Sequence, residues 1–160
     1  MKNLKKSICI VLFLISYYRV SGQQYNKELD FVIVIDENVW ITSTYFQIAM
    51  NKTCGSDTIK ASYHPGSLSI MQSDYDKLLS EEAKSIYLKF VYYDHAAKKQ
   101  KTYNYEIELK KPWLQDYFNV LRIYNLDNKK YKKLSPIAEG KNYTYELDSP
   151  SHSFRRVRDK

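Results

Sequence analysis

Along most of the chain apolar residues recur at every second position, the repeat of a strand whose side chains alternate between two faces. Phe31 to Ile35 is a continuous apolar and largely β-branched run, which predicts a strand covered on both faces. Trp40, Thr42, Thr44, Phe46, Ile48 and Met50 then share one face of an extended segment that stops at the Asn51–Asp57 turn. Ile59, Ala61 and Tyr63 alternate, His64-Pro65-Gly66 turns the chain, and Leu68 and Ile70 resume the pattern. One stretch departs from it. Ser73 followed by Asp76 has the form of a helix N-cap with an acidic residue three positions on, and no β-branched residue follows as far as Ala83. One or two helical turns over Ser73–Ser80 are therefore predicted to join two strands.

The clearest pair comes next. In Ile86 to Tyr93, the residues Ile86, Leu88, Phe90 and Tyr92 share a face; in Thr102 to Leu109, Tyr103, Tyr105, Ile107 and Leu109 do, with Asn104, Glu106 and Glu108 opposite. The two read as a hairpin across the polar loop Asp94 to Lys101. Pairing Phe90 with Tyr105 sets Lys89 against Glu106, an opposite-charge pair; a slip of two residues sets Lys89 against Glu108 with nearly the same benefit. Alternation thus assigns the faces and leaves the register open. It also forces Tyr87, Lys89, Val91 and Tyr93 outward.

Tyr117 to Leu126 is apolar on both parities apart from Asn119 and Arg122, which predicts a central strand. Asp127 to Lys130 is a polar turn, Tyr131 to Leu134 a short strand, and Asn142 to Asp148 a strand with Tyr143, Tyr145 and Leu147 on one side. Ser149-Pro150 turns the chain, and Phe154 and Val157 mark a last, ragged strand. Eight to ten strands at a spacing of roughly ten residues, with one short connecting helix, predict an all-β fold, an antiparallel β-sandwich. The segment from Leu68 through the short helix to Phe90 resembles immunoglobulin-like and transthyretin-like sandwiches. It lacks the inter-sheet cysteines of the first and any binding signature of the second.

The beginning of the chain changes the composition. Met1 to Gly22 combines Lys2, Lys5 and Lys6, the apolar run Ile8 to Ile15 and the small-residue site Val20-Ser21-Gly22, the three parts of a secretory signal peptide. Cleavage before Gln23 leaves residues 23–160 of the 160 as one expected domain. Those lysines and Arg19 supply four of the seven net positive charges, and the basic tail Arg155, Arg156, Arg158 and Lys160 outweighs Asp159 by the other three. Residues 23–154 are then formally neutral, which argues against a nucleic-acid partner. Beyond the leader no apolar run approaches the length of a membrane span, and no cysteine stands at the cleavage point to accept a lipid. The expected location is secreted or periplasmic, without an anchor.

Candidate chemistry is sparse. Cys9 lies in the leader, so Cys54 is the one mature thiol; with His64 it suggests a nucleophile and base, but no helix N-terminus near Cys54 lowers its pKa, and a small buried hydrophobe explains it better. His64, His95 and His152 each adjoin a turn, with Asp94 and Asp148 near two of them, yet they lack the short ligand spacing of a metal site and read as solvated turn residues. Glu81-Glu82, and Glu106 with Glu108 about 7 Å apart along a strand, could be paired acids, but outward carboxylates on a solvated face account for them. There is no phosphate-binding glycine loop, nucleophile elbow or zinc-protease helix.

Tyrosine is the outlying count: sixteen, of which Tyr17 and Tyr18 belong to the leader. Tyrosine packs well on a pleated sheet, so most need no other account. The outward Tyr87 and Tyr93, beside Lys89 and Val91, nevertheless form an aromatic stripe of the kind a protein or carbohydrate contact uses. The lysine clusters Lys98, Lys99, Lys101, Lys110, Lys111, Lys129, Lys130, Lys132 and Lys133 fall at turns and edges, where they keep strand edges soluble. Arg155, Arg156 and Arg158 are a candidate contact for anionic glycans or headgroups. Asn51-Lys52-Thr53 and Asn142-Tyr143-Thr144 are glycosylation sequons, of consequence only where secreted proteins are glycosylated.

The pattern therefore predicts a small secreted or periplasmic, non-catalytic binding or accessory module without a cofactor, contacting another protein or a surface glycan through an exposed sheet face or an edge strand. A carbohydrate-binding or extracellular inhibitor protein is the alternative, and an enzyme or metal protein with loop-borne histidines the third reading.

Overall fold

A computed structural model describes residues 27–41, 46–95 and 100–155. In chain order these form β1 (Lys27–Leu29), β2 (Phe31–Ile35), β3 (Asn38–Val39), β4 (Phe46–Asn51), β5 (Ser56–Lys60), β6 (Ser62–His64), β7 (Ser67–Ile70), α1 (Gln72–Leu79), β8 (Ser85–Asp94), β9 (Lys101–Leu109), α2 (Lys111–Leu114), β10 (Asn119–Asn125), a 3-10 turn (Lys129–Tyr131), β11 (Tyr143–Asp148) and β12 (Ser153–Arg155). The protein is mostly β. Its strands make three sheets, ordered β1-β7-β6, β12-β11-β10-β2-β3 and β5-β4-β8-β9. The expected leader Met1–Gly22, Thr42 and Thr44, and Arg156, Val157 and Arg158 lie outside the described residues.

The chain passes between sheets at two single-residue breaks. Asp30 separates β1 in the three-stranded sheet from β2 in the five-stranded one, and Ala61 separates β5 in the four-stranded sheet from β6 in the three-stranded one. Buried positions alternate along β2, β4, β9 and β10, so each strand sends one side inward: Ile33 beside Leu121 and Leu147 in one sheet, Ile48 beside Leu88 and Ile107 in another. These side chains belong to one continuous apolar cluster that draws on all three sheets and both helices. Each large member contributes roughly 1.5–3 kcal/mol by leaving water. Within the cluster Trp40, Phe46, Tyr63 and Phe90 stack on one another, with centroids 4.7–6.0 Å apart.

Tyrosine hydroxyls tie the sheets together. Tyr63 accepts the Ile33 backbone N–H at 2.8 Å, and Tyr143 accepts the Glu106 N–H at 2.9 Å while donating to the Glu106 carbonyl at 3.0 Å. Tyr105 donates to Asn125 Oδ1 at 2.7 Å, and Asn125 in turn donates from its backbone N and its Nδ2 to the two oxygens of Asp36. Asp36 and Glu37 form the two-residue turn from β2 to β3, both with positive φ, 49° and 70°. That left-handed geometry suits the twist of a hairpin but is uncommon for residues with a Cβ, and the bonds to Asn125 hold it in place.

Several expectations need correction. The sheets are not wholly antiparallel: β2 and β10 pair in parallel, from Asn119 opposite Phe31 to Ile123 opposite Ile35. Alternation within one strand carries no information on its neighbour's direction. The described residues contain twelve strands and two α-helices, more than the eight to ten strands and single helix expected. The helix begins at Gln72 with Met71 at its N-cap and no side-chain cap, so Ser73 lies inside it. Tyr131 to Leu134 is not a strand; Tyr131 ends the 3-10 turn, whose start is fixed by Asn128 accepting the Lys130 N–H at 3.1 Å. Strand β10 starts only at Asn119, leaving Tyr117 and Phe118 at 86% and 50% exposure.

Candidate functional site

The four-stranded sheet has one face in the core and one towards solvent. Its registers place Lys60, Gln47, Lys89 and Glu106 in one row across all four strands and Thr58, Ala49, Tyr87 and Glu108 in the next. The pairing of Lys89 with Glu106 and Phe90 with Tyr105 selects one of the two registers that the sequence allowed. Lys89 Nζ stands 2.7 Å from Glu106. The alternative pairing with Glu108 does not form, because Tyr87 occupies that position and Glu108 is bonded to Lys110.

Tyr87, Lys89, Val91 and Tyr93 are on this outer face as predicted. Lys89 and Tyr93 are exposed and Tyr87 and Val91 half-buried, with the Lys89 ammonium 5.9 Å from the centre of the Tyr87 ring. Helix α1 does not cover them. Tyr75 donates its hydroxyl to the Leu114 carbonyl of α2 at 3.2 Å and receives Lys27 of β1 over its ring, so that helix packs against other elements.

A groove of about 330 Å³ is lined by Gln47, Lys89, Val91, Asn104, Glu106 and Lys141. Lys141 arrives from a turn made by Gly140 at φ 74° and the Lys141 N–H bonded to the Ala138 carbonyl. Two residues later the buried Tyr143 hydroxyl clamps the backbone of Glu106, which fixes the turn against β9. Lys141 Nζ lies 3.5 Å from Glu106 Oε2. The Lys89 ammonium, hydrogen-bonded to Glu106 and assisted by Lys141, holds that carboxyl below the usual carboxylate range. Gln47 could have been found from the β4 pairing; Lys141 left no signal, since it is brought in by a loop.

The other candidates are not gathered into this site. Cys54, His64, His95 and His152 are each exposed, and among the described residues no three His, Cys, Asp or Glu side chains are placed to hold a metal ion. His152 faces Asp116 rather than Asp148, its Nδ1 3.1 Å from Asp116 Oδ2. Ser149 Oγ approaches that same oxygen at 2.5 Å. A serine nucleophile needs a base on its hydroxyl; here the carboxylate takes both groups and the imidazole is not interposed. Asp116 is instead held below the usual carboxylate range by these bonds, Ser149 foremost, and secures the Ser149–His152 turn. Arg155 lies in β12 opposite Glu146, while the rest of the basic tail falls outside the described residues.

Comparison with protein-family models, with curated proteins and with solved structures finds no match for this chain.

Proposed function

We propose that this chain is a small secreted or periplasmic, non-catalytic binding or accessory module, and that its sheets pack as a β-sandwich of immunoglobulin-like or transthyretin-like kind. It contacts another protein or a surface glycan through the outer face of the four-stranded sheet. One observation carries the reading: a face backed by a packed core has Lys89 and Tyr93 exposed and Tyr87 and Val91 half-buried on its outer side, and neither described helix lies over them. Large aromatics such as Tyr87 and Tyr93 are among the residue types that dominate contact surfaces. The leader Met1–Gly22 supports export, and the bonds from Tyr105 and Tyr143 across to the neighbouring sheet support the sandwich. The carbohydrate-binding reading draws support from the amide-lined groove beside Val91.

The test is a glycan array together with capture from the native extracellular material, comparing the mature chain with Tyr87→Ala/Tyr93→Ala. A ligand lost by the double variant at unchanged melting temperature supports the contact face. Undiminished capture by that variant would refute it.

A further inference from the structure

Resting on that contact face, we propose that the groove between Lys89 and Lys141 is a carboxylate subsite for an acidic saccharide, one built of uronic-acid-type sugars. Two ammonium groups converge there on a single carboxylate, Glu106, at 2.7 Å and 3.5 Å. One positive charge is left over. All three side chains are more than a third exposed, so an incoming carboxylate reaches either lysine without entering the core. The Tyr143 clamp two residues away holds the backbone turn that carries Lys141 against β9.

The rest of the lining suits hydroxyls. Gln47 and Asn104 offer an amide donor and acceptor each, Glu106 accepts, and Val91 provides an apolar floor. The groove's 330 Å³ is at the small end of ligand pockets, the scale of one or two sugar rings. An acidic peptide would have the same charge, and an extended peptide gains further affinity where it can add a strand to a sheet edge. That edge is blocked at the groove, because the outward N–H and C=O of Glu106 in the edge strand β9 are both bonded to Tyr143.

In this arrangement Glu106 competes with the ligand for the lysines, which gives the test a sign that a general surface effect lacks. The mature chain is titrated calorimetrically with an oligogalacturonate, with the neutral galactose oligomer of equal length and with an Asp/Glu-rich peptide. The oligogalacturonate is expected to bind in preference to both, and less tightly as ionic strength rises. Lys89→Ala and Lys141→Ala should each weaken it about tenfold, the loss of one charge-assisted hydrogen bond. Glu106→Gln should tighten it several-fold. Either lysine variant leaves Glu106 its other partner, so melting temperatures should stay near that of the parent chain. No binding of the oligogalacturonate, equal binding of the neutral oligomer, preference for the peptide, or weaker binding by Glu106→Gln would each overturn the proposal. If the saccharide fails while Tyr87→Ala/Tyr93→Ala still abolishes capture of the native ligand, only the ligand class falls; if that variant also captures normally, the contact face falls with it.

Discussion

Replacing Tyr105 by phenylalanine removes one oxygen from the centre of the molecule and keeps the ring. Its aromatic contacts, Phe90 at 5.1 Å and Tyr143 edge-on at 5.0 Å, survive the change. What is lost is the 2.7 Å bond to Asn125 Oδ1, on a residue only 1% exposed whose Nδ2 and backbone N–H are committed to Asp36. Water cannot readily replace the phenol, so an acceptor is left buried without a partner, a loss of about 1–3 kcal/mol, partly offset because the phenol itself no longer has to be desolvated. The net expectation is about 1–2 kcal/mol, equivalent to a fall in melting temperature of roughly 3–8 °C. Urea titration should show the midpoint moving at constant slope. A double-mutant cycle with Asn125→Ala should return a coupling of about 1 kcal/mol, since the second change removes the orphaned acceptor. A Tyr105→Phe variant within ~0.3 kcal/mol of the parent chain, or a coupling indistinguishable from zero, would refute the claim that this bond links the sheets.

Three further outcomes are expected. Leu88→Ala or Phe90→Ala should cost roughly 2–5 kcal/mol by chemical denaturation, whereas Tyr87→Ala/Tyr93→Ala should cost about 1 kcal/mol or less; equal losses would mean that the outer stripe is ordinary packing. Burial, with Asp127 beside Tyr103 and Glu146 bonded to Tyr124, pushes both phenols up to about 12 from an ordinary 10. Because the folded state raises these values, their contribution to stability is complete below pH 10 and is lost as pH climbs from 10 towards 12; phenolate absorbance that saturates near pH 10 in the folded protein would contradict this. Cys54 is exposed, so Cys54→Ser should change stability by no more than ~0.5 kcal/mol, and the exported protein should begin at Gln23 by mass spectrometry, an intact Met1 terminus arguing against the leader.

The hairpin β8–β9 was legible in detail because its alternation is strict and one face is apolar throughout, so parity alone separates Leu88 and Phe90 from Lys89. Weak alternation misled elsewhere. Tyr117 and Phe118 look like the start of a buried strand, yet β10 begins where Asn119 donates its N–H to Asp30 and its Nδ2 to Trp113, bonds that no local pattern announces. Tyr131 reads as strand by composition and is instead held in a 3-10 turn by Asn128, with its ring against Tyr124.

In β8 and β9 the sequence by itself determined which residues face inward, because a period of two has only two phases and burying the polar one is costly. It narrowed the outward stripe to Tyr87, Lys89, Val91 and Tyr93 on the same ground. Tertiary structure decided the remainder: the parallel pairing of β2 with β10, the register that joins Lys89 to Glu106, and the arrival of Lys141 on the other side of that carboxylate. The first and last of these depend on segments far apart in the chain, held by long-range bonds such as those between the Tyr143 hydroxyl and the Glu106 backbone, whose partner is specified by three-dimensional packing and not by spacing.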